Sequence, residues 1–161
     1  MKILITVASL FLYIFFYTSS AFSYFTYQAM ITSGDMQFEG RESESFTESQ
    51  LGLTYSFNPT FSIQASAIAR FVENDENYYG GQVLAPISSG IMPSTLSLRA
   101  YLAPGFRVLR GFEAPVMEGG VSTGFRSLRL GVGYRVIFNE AFSNGLEDES
   151  QIFFFTSFRG F

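Results

Sequence analysis

Between residues 50 and 57, Leu51, Leu53, Tyr55 and Phe57 alternate with Gln50, Gly52, Thr54 and Ser56. A strict period of two over this length selects strand and excludes helix. The pattern recurs along most of the chain. Phe25, Tyr27, Ala29 and Ile31 oppose Thr26, Gln28, Met30 and Thr32. Phe61, Ile63, Ala65, Ala67, Ala69 and Phe71 oppose Ser62, Gln64, Ser66 and Arg70, with Ile68 breaking the polar series. Leu96, Leu98, Ala100 and Leu102 face away from Ser97, Arg99 and Tyr101. Leu128, Leu130, Val132, Tyr134, Val136 and Phe138 face away from Ser127, Arg129, Gly131, Gly133 and Arg135.

The second face is the informative one. A water-soluble sheet turns its polar face to solvent, where lysine, glutamate and threonine mix freely. Here that face is serine, threonine, glutamine, glycine and arginine, without lysine. Glycine leaves room for large neighbours in a narrow interior, and the planar fork of arginine can meet several acceptors in a confined site. The expected fold is all-β, a closed antiparallel up-and-down transmembrane β-barrel of eight strands, apolar face to lipid and polar face to a packed lumen.

Charge is sorted to match. Most acids fall in the presumed connections 34–45, 73–77 and 144–150, whereas eight of the arginines fall in strand-like segments, Arg41 being the exception. Long acidic connections alternate with tight ones such as Asn58-Pro59-Thr60, the long-outside, short-inside arrangement of outer-membrane barrels. Strand-like segments lie near 24–33, 46–57, 61–71, 82–88, 94–103, 106–113, 116–123, 126–138 and 151–161, one more than eight places hold. Either 82–88, interrupted by Pro86, is loop, or the two segments flanking Pro104-Gly105 are one bent strand. The second option is favoured.

Residues 1–23 carry Lys2, the uncharged apolar run from Ile3 to Tyr17 and small residues at Ala21 and Ser23. A basic start, an apolar region and a small-residue cut predict a cleaved signal peptide, with 24–161 as one domain. Lys2 is the only lysine, so cleavage leaves nine arginines against fourteen acids, about −5. Nucleic acid is therefore not an expected partner. The chain has no cysteine and no histidine. Disulfides, Ser-His-Asp chemistry, thiol chemistry and zinc sites of the usual kind are excluded, and no cofactor is expected.

The chain closes on QIFFFTSFRGF, ending at Phe161. A last strand that closes a barrel pairs with the first and leaves no edge, and an aromatic at its end suits the interfacial girdle. In these features the chain resembles the small eight-stranded outer-membrane barrels, such as the transmembrane domain of outer-membrane protein A and outer-membrane protein X. The resemblance implies that Phe153, Phe155 and Phe161 form the alternating terminal signal read by the barrel-assembly machinery. Arg159 and Ser157, on the same face, depart from it, and Phe154 and Phe158 leave the strand's orientation open. It also implies residence in the outer membrane of a Gram-negative-type envelope, among its lipid and lipopolysaccharide. Some barrels of this size are lipid A acyltransferases, deacylases or proteases, and those families use a histidine that this chain lacks; no enzymatic activity is expected.

The arginines are the foremost candidate site. Arg70, Arg99, Arg129 and Arg135 fall on polar faces, with Arg107, Arg110 and Arg126 nearby, and Glu48, Glu113, Glu118 and Glu140 are acids in or beside strands. A buried cation needs a partner. Arg70, Arg99, Arg129 and Arg135 with Glu48 and Glu118 are therefore expected to form a lumen network that plugs the barrel. The alternative is an arginine-lined passage for small anionic solutes. A third reading, a soluble periplasmic barrel enclosing an apolar ligand as lipocalins do, needs the Leu51/Leu53/Tyr55 face to point inward. Glu73, Asp75 and Glu76 form the densest acidic run and Tyr78 and Tyr79 follow it, an expected exposed loop for surface contact. No EF-hand spacing accompanies the acids, so no metal site is assigned. Gly119-Gly120, Gly131 and Gly133 match no phosphate-binding fingerprint and read as interior packing or bends.

Overall fold

The computed structural model describes residues 24–38, 43–72, 77–90, 97–125, 127–139 and 148–160. Residues 1–23, where a signal peptide is expected, and Glu73, Asp75, Glu76, Arg126, Glu140 and Phe161 lie outside the described residues. Among the described residues the elements are all strands: β1 (Tyr24–Phe38), β2 (Glu44–Ser56), β3 (Ser62–Val72), β4 (Tyr78–Leu84), β5 (Ile87–Gly90), β6 (Ser97–Leu109), β7 (Phe112–Phe125), β8 (Leu128–Ile137) and β9 (Glu149–Gly160). They form one antiparallel sheet in the order β4-β3-β2-β1-β9-β8-β7-β6-β5, and β4 also pairs with β6. That last pairing closes the sheet, and β1 pairs with β9 from Tyr27↔Gly160 to Phe38↔Glu149, as barrel closure by the terminal strands requires.

Nine strands make eight staves because β4 and β5 share one. Both pair with β6 in a single continuous register, Leu84↔Gly105 and then Ile87↔Leu102. Hydrogen bonding nearly bridges the gap. Ala85 N–H donates to the Pro104 carbonyl at 2.8 Å, and the Pro86 carbonyl accepts from Ser62 N–H at 3.1 Å. Pro86 has no N–H to give, and the ladder breaks there and nowhere else along the stave. The two segments flanking Pro104-Gly105 meet in one strand, β6, which runs unbroken from Ser97 to Leu109; the end of the expected 106–113 segment is the Arg110-Gly111 turn and the start of β7. The favoured strand count is therefore correct.

Local chemistry explains the two tight connections the structure describes. Asn58 Oδ1 accepts from the N–H groups of Thr60 and Phe61, both at 2.8 Å, fixing the β2–β3 turn. Between Leu109 and Phe112 the chain turns on Arg110 and Gly111, with φ of 56° and 81°. Two consecutive positive φ values are what a two-residue hairpin matched to strand twist demands.

The side chains are inverted relative to a soluble barrel. Phe25 (69%), Leu51 (68%), Phe154 (68%) and Leu53 (59%) are exposed on the outside, whereas Thr54, Glu48, Arg135 and Gln151 are fully buried inside. Leu51 and Leu53 facing outward rules out an apolar ligand cavity lined by that face, and the lipocalin-like reading is withdrawn. Ile68, which broke the polar series of β3, is buried with it, since its phase is set by the pleat and not by its polarity.

One end of the barrel collects β1's last residues, β2's first, the β3–β4 connection, the Arg110-Gly111 turn and the β8–β9 connection. Asp35, Glu44, Glu113 and Asp148 all belong to this acidic end. The opposite end holds Tyr24, the Asn58 turn and Gly160. The strands at the acidic end are longer than expected. Residues 34–38, assigned to a loop from sequence, belong to β1, which runs 15 residues where roughly 9–11 suffice to cross a bilayer. Asp35 accepts from Ser45 Oγ at 2.9 Å across this extension.

Candidate functional site: the charged lumen

Register places the first ion pairs. Glu48 on β2 sits directly opposite Arg70 on β3, and Glu118 on β7 opposite Arg135 on β8, itself opposite Gln151 on β9. All are on inward faces, and directly opposed side chains are within reach of one another. Arg70 Nε donates to Glu48 Oε2 at 2.8 Å, and Arg135 Nε donates to Glu118 Oε2 at 2.8 Å.

Closure of the barrel adds contacts that run across the lumen. Arg135 Nη1 donates to Glu48 Oε1 at 2.9 Å and to Gln151 Oε1 at 2.8 Å. Arg107, from β6, also donates to Glu48 Oε2. Arg70 Nη1 reaches Glu149 Oε1 at 2.7 Å, and Gln151 donates to the same oxygen. Gln82 donates to Gln50 at 3.0 Å and Gln50 to Glu48 at 3.3 Å. Tyr101 O–H donates to Glu118 Oε1 at 2.9 Å. Glu48 is the hub, one carboxylate shared by three guanidinium groups.

Among the described residues, Arg70, Arg107 and Arg135 face Glu48, Glu118 and Glu149, all of them buried. The cluster is neutral as a whole, which is the condition for keeping charges away from water. Apolar packing holds it from two sides. Met36, Phe46, Val72, Phe153 and Phe155 form one wall, and Leu84, Ala103, Ala114, Val116 and Ile137 the other. The Arg70 guanidinium lies 5.2 Å from the Phe46 ring centre and that of Arg135 lies 4.9 Å from Phe153, cation–π geometry in a desolvated setting.

Several sequence expectations need correction here. Arg99 and Arg129 are lumen-side, but neither joins the network. They lie nearer the other end of the barrel, where Arg129 donates to Ser122 Oγ at 3.2 Å and Ser97 Oγ at 2.5 Å. Network members not singled out as central were Arg107 and Glu149. Sequence places Glu149 in the 144–150 connection, but it is the first residue of β9, two residues before Gln151 and on the same face. Tyr78 and Tyr79 belong to β4 and not to a loop. Tyr78 accepts from Arg110 Nη1 at 3.2 Å under a guanidinium 4.6 Å from its ring, while Tyr79 points outward. Glu113 is exposed beside the Arg110 turn.

Phe153 and Phe155 are also placed differently from a membrane-facing signal. Both are buried in the lumen, and Ile152, Phe154 and Phe158 are the outward residues of β9. Opposite them stand Gly133 and Gly131. A Cβ on Gly133 would lie 2.5 Å from the Phe153 ring, and one on Gly131 would lie 2.4 Å from the Phe155 ring. The two glycines of β8 are the sockets for the two phenylalanines of β9.

No group of three metal-ligating side chains occurs among the described residues. No family model matches the chain, and no curated protein sequence matches it. Among solved structures, the outer-membrane enzyme PagL superposes with a TM-score of 0.62 at 9% identity, covering 81% of this chain and 98% of that one. A de novo designed transmembrane β-barrel superposes with a TM-score of 0.56 at 14% identity, covering 84% and 95%. The likeness is one of fold. With closure, strand number and inverted faces in agreement, the chain has the architecture of the small eight-stranded outer-membrane β-barrels.

Proposed function

We propose that the protein is an integral outer-membrane barrel without enzymatic activity, which braces the membrane and presents its acidic end to the exterior. The observation that carries this reading is the neutral plug itself. Three arginines and three carboxylates fill this part of the lumen and are ion-paired with one another. An eight-stranded barrel is only just wide enough for its own side chains, and this one uses that width for a network that includes residues from β2, β3, β6, β7, β8 and β9. A conducting path would need to displace paired buried charges, which disfavours the anion passage. PagL is an enzyme on this fold, but the histidine-free sequence lacks the usual general base, and every buried carboxylate seen here is committed to an arginine.

The acidic end supports a surface role. Asp35, Glu44, Glu113 and Asp148 lie at the end that has the longest connection, 138–148, so contact with lipopolysaccharide phosphates would proceed through divalent cations and not through direct pairing. Separation of inner and outer membranes, with a folded-versus-boiled gel shift, is the direct test. The protein is expected in the outer-membrane fraction, with no steady conductance in planar bilayers. Recovery as a soluble periplasmic protein would overturn the reading, and a conductance abolished by Arg99→Ala would favour the passage.

A further inference from the structure

Below the plug the lumen changes character. A cavity of about 90 Å³ opens there, with Arg99, Arg129, Ser88, Ser122 and Ser157 among its lining and Tyr101 and Glu118 at its inner limit. Tyr101 and Glu118 already bond each other, and Glu118 also holds Arg135. The inner limit is thus the lower surface of the neutral plug, and the cavity is a blind cup.

Charge in this part of the chain is one-sided. No Asp or Glu occurs in 49–72, 77–112 or 119–139, nor in 153–161 or 24–34. The whole lower half of the barrel and its connections therefore contain no acidic side chain below Glu118. Arg99 and Arg129 belong to that half, and Arg126 and Arg159 add to it in sequence. Arg99 pairs in register with Gly90 on one side and Ser122 on the other, so neither neighbour offers a carboxylate. Among the described residues Arg99 makes no ion pair or side-chain hydrogen bond. Arg129, by contrast, is oriented by two serine hydroxyls. An arginine on the wall of a partly enclosed cavity has a stronger field than one in open water, and its fork is shaped for an oxyanion.

We propose that this cup binds a small oxyanion, a phosphate or carboxylate group, from the aqueous phase at the end opposite the acidic extensions, with Arg99 as its principal contact. Arg129, held by Ser97 and Ser122, supplies the second positive charge, and the Ser157 hydroxyl of the lining supplies a neutral donor. Room for several waters leaves space for one such group with part of its hydration.

The test uses the full barrel in nanodiscs of zwitterionic lipid, titrated with inorganic phosphate at constant ionic strength, with the Nε–H resonances of Arg99 and Arg129, both in the cavity lining, as reporters, the second of them reading the Arg99 variants. Saturable movement of both resonances is expected, together with a loss of affinity of about tenfold or more in Arg99→Gln, the order set by one charge-assisted contact. Arg99→Lys should retain part of the binding, and Arg41→Gln all of it. The gel shift verifies that each variant is folded, and the wild-type resonances make the test independent of them. Wild-type resonances that do not respond to phosphate, or Arg99→Gln binding as tightly as wild type, overturn the cup. So does a response seen only when anionic lipid is added, because that places the anion at the membrane rim and not in the lumen.

Discussion

Glu48→Gln removes one negative charge from the centre of the plug while preserving its shape. In the native barrel Glu48 accepts from Arg70, Arg107 and Arg135 and is fully buried. The substitution leaves three buried guanidinium groups facing only Glu118 and Glu149. Breaking a buried pair by deleting one partner costs about 3–5 kcal/mol, a large part of the roughly 5–15 kcal/mol that separates folded from unfolded chains. With a urea dependence of about 2 kcal/mol/M, the unfolding midpoint should fall by roughly 2 M. The assay is urea titration in phosphatidylcholine vesicles, read by gel shift, with exposed Glu113→Gln as the control, expected within about 0.5 kcal/mol of wild type. The paired variant Glu48→Gln/Arg107→Gln restores neutrality. It should be more stable than the sum of the single effects by an amount within the roughly 0.5–3 kcal/mol typical of coupled neighbours. A Glu48→Gln midpoint indistinguishable from the control, or strict additivity in the pair, would refute the claim that charge balance holds the lumen together.

Other outcomes follow from the same geometry. Gly133→Ala places a Cβ 2.5 Å from the Phe153 ring, and overpacking of this kind should lower stability by about 1–3 kcal/mol. Adding Phe153→Leu should recover most of that loss, again by urea titration. Leu53→Arg, on the lipid face, should destabilise by up to about 2–4 kcal/mol if Leu53 lies near the bilayer midplane, with reduced yield of the folded band on vesicle refolding. Tyr101→Phe removes one hydrogen bond to Glu118 and should cost about 1 kcal/mol, without creating conductance in planar bilayers.

The alternation of side chains was sufficient to specify strands and, on all of them but β9, the inside and outside faces, because a strand's two faces are set by the pleat alone; the count of eight also needed Pro104-Gly105 to lie within one strand. Phe25, Leu51 and Leu130 could be assigned to the outside, and Arg70 and Arg135 to the inside, without coordinates. Sequence could not say which inward charges meet. Glu48 and Arg135 are 87 residues apart on strands that are not neighbours, and their contact exists only because the barrel closes and its stagger brings them to one height. The same stagger leaves Arg99 and Arg129 away from the plug, although their phase is the same as that of Arg70 and Arg135. The aromatics of β9 show the limit on one strand. With Phe153, Phe154, Phe155 and Phe158 on both faces, polarity carries no phase information, and pairing with Gly131 and Gly133 decides the direction. Period two reports the face of a residue; height along the axis and partners across the lumen are properties of the closed sheet.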